Sequence, residues 1–171
     1  MDSKSLEDFS ALVDLIEAGN RRQIKDYLCV GPRAAARNGA WQLAEITGLR
    51  HWLILFINAN AESLSDRSLH TWYELATSLG ITTSQYDDWR TIAETVMAKL
   101  DTDGQPLLLL VADADKALAI ELTALGAFLA TCHRRTWPLL SVISGDRTLV
   151  RRFGNAYPDL EMMARVVEIK A

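Results

Sequence analysis

One stretch of this sequence has the residue types to hold a phosphate. Gly31-Pro32-Arg33-Ala34-Ala35-Ala36-Arg37-Asn38 follows a short apolar run and opens a helix-favouring segment. It can be aligned with the phosphate-cradling pattern G-x-x-x-x-G-K-[ST], in which backbone N–H groups wrap the phosphates and a lysine and a hydroxyl complete the site. Only Gly31 keeps its type. Ala36 stands at the second glycine, Arg37 at the lysine and Asn38 at the hydroxyl. Alanine at 34, 35 and 36 favours continuing a helix over opening a loop. Arg37 keeps the charge but presents a planar fork where an ammonium would fit. Asn38 has no hydroxyl for Mg²⁺. Arg33 and Arg37 at a helix N-terminus remain capable of meeting an anion.

Three further positions belong to the same chemistry. Leu107 to Ala112 is continuously apolar and ends in Asp113, the place of a carboxylate that supports Mg²⁺ in phosphoryl-transfer sites. Asp113 equally suits a turn or a helix cap. The next position, where a water-activating Glu would stand, is Ala114, and Asp115 lies one residue too far and suits a cap of the following helix. A second apolar run ends at Ser144, a candidate γ-phosphate sensor. Arg151 and Arg152 precede Phe153, the setting of an arginine that reaches a neighbouring subunit, and equally that of a solvated helix end.

The elements that carry these residues alternate between helix and strand. Helical spacing is seen in 6–18, with Ser5 as cap, in 34–47, in 66–79, in 88–100 with Asp87 as cap, and in 116–134. Apolar runs of strand length are 27–30, 52–57, 107–112 and 139–143, with a shorter one at 165–169. A turn is expected at 101–106 and a further helix from 147. Continuously apolar strands between helices predict an α/β domain, with a parallel sheet covered on both faces. The chain of 171 residues is long enough for one such core, taken here as a single domain over 1–171.

Composition narrows the function classes. There are 18 Lys and Arg against 22 Asp and Glu, a net charge of −4. This argues against a general coat for nucleic acid or anionic membrane. Two cysteines give neither a disulfide framework nor a metal spacing. Cys29 reads as a small core residue, and Cys132 beside His133 as an incidental thiol at a helix end. The three histidines have no ligand partners at close spacing, so no metal and no cofactor are expected. The polar start is unlike a signal peptide, and no apolar run reaches membrane-spanning length. A cytoplasmic protein is expected, at most peripheral to a membrane complex. Residues 1–20 are acidic and 133–152 are basic, with Arg134, Arg135, Arg151 and Arg152 as candidate contacts to a subunit or partner. On the 116–134 helix, Ala119 and Leu122 are candidates for an exposed apolar face.

The order GPRAAARN, WLILFINAN, two helices, LLLLVADAD, helix, LLSVISGD, TLVRRF, ARVVEI resembles the AAA+ P-loop ATPase core. It is most similar to the general-secretion-type and transposon target-selection branches. The resemblance spans roughly residues 9–170 and rests on the order of weak motifs. It implies a three-layer sandwich with a mainly parallel five-stranded sheet, strand order 5-1-4-3-2, and no helical lid domain. It also implies a nucleotide site at Gly31, Arg33, Ala36, Arg37, Asn38, Asp113, Ala114 and Ser144 that has lost its lysine, hydroxyl and catalytic Glu. Losing one preorganised electrostatic donor typically costs ~10²–10³ in rate. The expectation is therefore a pseudo-ATPase with no enzymatic activity. It would regulate or scaffold an assembly such as a secretion system, through protein partners (an active ATPase relative or a secretion component) or as a homo-oligomer. Two alternatives stay open: a nucleotide-binding regulator with little or no hydrolysis, and a DNA-linked regulator using the basic 133–152 segment. Nucleic acid is the less expected partner, and no membrane insertion is expected.

Overall fold

The computed structural model describes every residue of 1–171 except Gln23, Gln85, Tyr86 and Pro158. The strands are β1 (Asp26–Val30), β2 (Leu53–Asn58), β3 (Leu107–Ala112), β4 (Leu139–Gly145) and β5 (Ala164–Glu168). The helices are α1 (Ser3–Glu17), α2 (Arg33–Gly48), α3 (Leu64–Ser78), α4 (Trp89–Asp103), α5 (Ala119–Arg135), α6 (Thr148–Ala156) and α7 (Leu160–Met163). A single 3₁₀ turn spans Ala114–Lys116.

All strand pairings are parallel, in the order β2-β3-β4-β1-β5. This is the expected 5-1-4-3-2 order read from the other edge. β1, β3 and β4 are buried along their whole length because both faces are covered. Alternation along β3 divides the core. Leu108 and Leu110 pack toward α1 and α2, with Phe9, Val13 and Leu43. Leu107, Leu109 and Val111 pack toward α3, α4 and α5, where Trp72 and Trp89 both meet Phe128 edge-on at 5.5 and 5.6 Å. The result is three layers, helix–sheet–helix. Among the described residues no helix is long and apolar enough to cross a membrane.

Element ends differ from the sequence reading where capping chemistry decides. α1 starts earlier, because the Asp2 carboxylate accepts the Ser5 N–H at 2.8 Å, so Asp2 and not Ser5 is the cap. α4 is capped by Asp88, which accepts the Thr91 N–H at 2.8 Å. Asp87 instead accepts the Ser84 N–H. α4 runs on into the expected turn, to Asp103, and stops at Gly104, which takes the left-handed φ of +66°. The expected 116–134 helix is divided. Asp115 belongs to the 3₁₀ turn, and the cap of α5 comes from Glu121, whose carboxylate accepts the Leu118 N–H at 3.0 Å and the Ser65 N–H at 2.7 Å. One buried acid thus satisfies the starts of both α5 and α3. Leu122 is fully buried, so the apolar side chains showing there, with Ala119, are Leu118 and Ile120.

Parallel strands bring their C-terminal ends to one edge of the sheet. Gly31, Asp113 and Ser144 therefore converge there, beside the N-terminus of α2.

Candidate functional site

The site is built on the turn between β1 and α2, which has only two residues, Gly31 and Pro32. α2 begins at Arg33, and its first hydrogen bond runs from the Ala36 N–H to the Pro32 carbonyl at 2.9 Å. Residues 33–38 are therefore helical and do not form a wrapping loop. Gly31 has φ +154°, and a Cβ there would sit 2.2 Å from the Ile169 carbonyl oxygen. The one retained glycine is thus required by the close approach of the chain after β5. Ala36 lies on the buried face of α2, and Asn38 is exposed.

Helical geometry places Arg33 and Arg37 one turn apart on the same face. Both reach over the strand ends to acids that follow β3. Arg37 donates to Asp113 Oδ2 at 2.5 Å, and Arg33 donates to Asp115 Oδ2 at 2.5 Å, with Asp146 at 3.5 Å. Asp113 is fully buried, with φ +56°, a left-handed backbone that Asp tolerates better than most residues. It does not cap the 3₁₀ turn. Among the described residues its Oδ1 has no hydrogen-bond partner, nor has the buried hydroxyl of Ser144. Ala114 is buried beside them and offers no polar group.

Asp115 is the best-satisfied acid of the site. Its Oδ1 accepts the Asp146 N–H at 3.1 Å, and a Cβ on Gly145 would come within 2.7 Å of that oxygen. Burial works to raise its pKa. The Arg33 guanidinium and the Asp146 N–H outweigh burial and hold the carboxyl below the usual range. Sequence reasoning gave Asp115 only a capping role. Its partners lie 82 and 31 residues away, so no local pattern announced them.

The four candidate contact arginines do not form one surface. Arg152 donates to the Asp115 and Ala117 carbonyls and so buttresses the 3₁₀ turn, which removes it as a free contact. Arg151 is exposed. Arg134 donates to Thr131 Oγ1 at 3.0 Å, and Arg135 lies over Trp137 at 5.9 Å, both at the C-terminal end of α5. The two pairs sit at opposite ends of the sheet, because α5 runs antiparallel to the strands it connects. Arg147 is paired with Glu168. The acidic N-terminal residues meet other arginines of the same chain: Asp8 pairs with Arg165, and Asp14 and Glu17 pair with Arg50.

Both cysteines are buried, Cys29 as expected of a core residue and Cys132 on the inner face of α5 near its end. Burial pushes the Cys29 thiol up to about 12 and the Cys132 thiol well above its ordinary value. His133 is a structural residue tied to a partner distant in sequence. It has a carboxylate partner, Asp26, 2.9 Å from Nε2, and both side chains are buried. Among the described residues no group of three or more His, Cys, Asp and Glu is placed to hold a metal ion.

No family model matches the sequence, and no curated protein matches it. Solved structures do match the fold. Drosophila ORC bound to AT-rich DNA and Cdc6 contains a chain with a TM-score of 0.64 at 13% identity, covering 99% of this chain and 29% of that one. Cdc6p from Pyrobaculum aerophilum gives 0.64 at 14% identity, over 95% of this chain and 44% of that one. The Aeropyrum pernix ORC2 protein, in ADPNP–ADP complexes, gives 0.59 at 13% identity, over 96% and 47%. This chain spans less than half the length of each of these proteins. At such identity the likeness is one of fold alone, an α/β fold of the P-loop NTPase-like kind.

Proposed function

We propose that this chain is a catalytically inactive, ATPase-like interaction module. The observation that carries the reading is the pairing of Arg37 with the buried Asp113. Arg37 stands at the lysine position and Asp113 at the Mg²⁺-supporting position. In a working site these two groups act on opposite sides of the same ligand, one on phosphate and one on metal. Here they neutralise each other. Arg33 and Asp115 repeat the arrangement beside them. A nucleotide would have to break both pairs before gaining any contact. It would then meet a helix in place of a loop, an alanine in place of the catalytic Glu, and no hydroxyl for Mg²⁺.

The retained fold then serves assembly. The partner we propose is protein: an active ATPase of the same fold, a component of a larger complex such as a secretion system, or further copies of this chain. Several of the similar solved structures contain DNA. They lend no support to the expectation that nucleic acid is an unsuitable partner. The division of the 133–152 arginines between two ends of the sheet gives a DNA duplex no single basic stripe, which keeps protein the preferred partner.

The test of inactivity is phosphate release from ATP and GTP with Mg²⁺, for the wild type and for Asp113→Asn. The reading expects both to match the buffer blank. A turnover that Asp113→Asn abolishes would contradict it.

A further inference from the structure

The two faces of the sheet are covered unequally. α3, α4 and α5 pack on one face, and α1 and α2 on the other. A helix is roughly 10 Å wide and strands lie about 4.8 Å apart, so two helices cover about four strands. The sheet has five, and β2, at one edge, is left bare on the α2 side. Its Ile54 and Phe56 point there and stay 39% and 37% exposed, whereas Leu55 and Ile57, on the opposite face, are buried. Trp41, on the flank of α2, lies 5.1 Å from the Phe56 ring. Leu49, 82% exposed, lines one cleft of about 400 Å³ with Trp41 and Ile54. Four large apolar side chains thus form one patch along the sheet edge.

The backbone of β2 is unpaired on the same edge. The Leu53 N–H donates to the Pro106 carbonyl at 3.2 Å and the Ala59 N–H to the Ala112 carbonyl at 3.0 Å, so residues 53, 55, 57 and 59 turn their polar groups to β3. By the two-residue period of a strand, the N–H and C=O groups of Ile54 and Phe56 face outward. Among the described residues no strand pairs with them. Trp52 to Ala61 carry no charged side chain. Edge strands that stay single are guarded by charges or by proline. β5, the opposite edge of this sheet, has such guards in Arg165 and Glu168, the latter paired with Arg147. β2 has none.

We propose that β2 pairs antiparallel with β2 of a second copy of this chain, about a two-fold axis at Leu55. In that register Ile54 faces the partner's Phe56, and Phe56 faces the partner's Ile54. Each facing pair exchanges both N–H···O=C bonds, four in all, and the two sheets become one. The axis runs through the sheet, so both copies turn the same face the same way. The two bare strips then meet, with a Trp41 on either side of the joint. The occupant is another copy because the strand is its own complement. From Leu53 to Ile57 every facing pair is apolar with apolar, and no like charges meet. The contact is isologous and closes at two copies, whereas β2 laid on the guarded β5 edge of the next copy would build an open chain. The dimer gives the assembly role proposed above a surface, and rests on that reading to that extent; Arg37 and Asp113 take no part in it.

The test is sedimentation velocity of the full chain from about 1 to 100 μM, a range that resolves a micromolar Kd. The proposal expects a monomer–dimer equilibrium with no larger species. Phe56→Lys should raise the dimer Kd by about a hundredfold or more, since it buries a charge against the partner's Ile54. Ile120→Lys, at an exposed apolar residue of α5 outside the patch, should leave the Kd unchanged. Cross-linking under mild oxidation reads the register without adding a charge, and both native cysteines are buried. Ile54→Cys mixed with Phe56→Cys should form a disulfide dimer, because facing Cα atoms lie about 5.5 Å apart. Either variant alone should cross-link far less, because its thiols stand on the diagonal, at about 7–8 Å. A chain that stays monomeric at 100 μM, a dimer that Phe56→Lys leaves intact, growth past the dimer, or equal cross-linking by the single variants would overturn the proposal. None of these readouts involves nucleotide, so their failure is separate from that of the inactivity reading, which phosphate release decides.

Discussion

The Asp113 carboxyl is fully buried, and among the described residues the Arg37 guanidinium is its hydrogen-bond partner. Arg37→Ala would leave that carboxylate buried with no hydrogen-bond donor. Breaking a fully buried pair costs about 3–5 kcal/mol, and the half-exposed arginine lowers this to about 1–3 kcal/mol. Urea melts of Arg37→Ala, Asp113→Ala and the double variant measure it. The double variant should be more stable than the sum of the single losses implies, because it removes the orphaned charge along with its partner. Additive losses would mean that the two side chains do not act as a pair. Asp115 sets the pH dependence. Its folded pKa lies below the ordinary value of about 3.9, so its contribution is present above that value and is lost as pH falls through the lower folded one. Asp115→Asn should be less stable than wild type at pH 6 and should lose less stability on going from about pH 4 to pH 2. An unchanged acid slope would show that Asp115 does not titrate differently on folding.

At the scale of elements, β1 and α2 are the unit on which the site depends. Their two-residue connection leaves no room for a wrapping loop, and Gly31 is held by contact with the chain end after β5. Gly31→Ala would drive a Cβ into the Ile169 carbonyl and displace β5, costing about 2 kcal/mol or more. Hydrogen exchange should show the loss first in amides of residues 164–169. Equal loosening throughout the sheet would argue for global unfolding instead. Much of this layer was legible in the sequence. Five apolar runs, each of strand length, gave the strands within a residue or two, because burial on both faces leaves no polar alternation. The run of alanines at 34–36 has no reason to be a loop, and it is helix. Less legible were the caps, where two neighbouring acids, Asp87 and Asp88, compete for one helix start. The break between the 3₁₀ turn and α5 lies in the extended backbone of Ala117 and Leu118, and the turn itself is set off from β3 by the left-handed Asp113.

At the scale of the whole molecule, the chain order of weak motifs carried the strand order, and the sheet bears it out. The acid–arginine pairs across the site were not legible, since they join residues separated by 76 and 82 positions. Likewise Asp26 and His133 stand 107 residues apart, and only the parallel pairing of β1 with β4 brings that corner together. The basic stretch of 133–152 shows the reverse. Its arginines are neighbours in sequence, and the fold parts them. The variant Ala36→Gly with Arg37→Lys and Asn38→Thr asks whether a phosphate-wrapping loop can form at this position. If α2 keeps its start at Arg33, that variant gains no nucleotide affinity. A gain would show that the helix start yields to a loop once the side chains allow it.

The central claim is that the chain's own arginine and aspartate side chains fill the nucleotide position. Calorimetry of the intact chain at about 100 μM with ATP and ADP, with and without Mg²⁺, tests it most directly, since that concentration detects binding from micromolar to near-millimolar Kd. The account predicts no saturable heat under any of the four conditions. Micromolar, Mg²⁺-dependent binding that is lost in Arg37→Ala would contradict it.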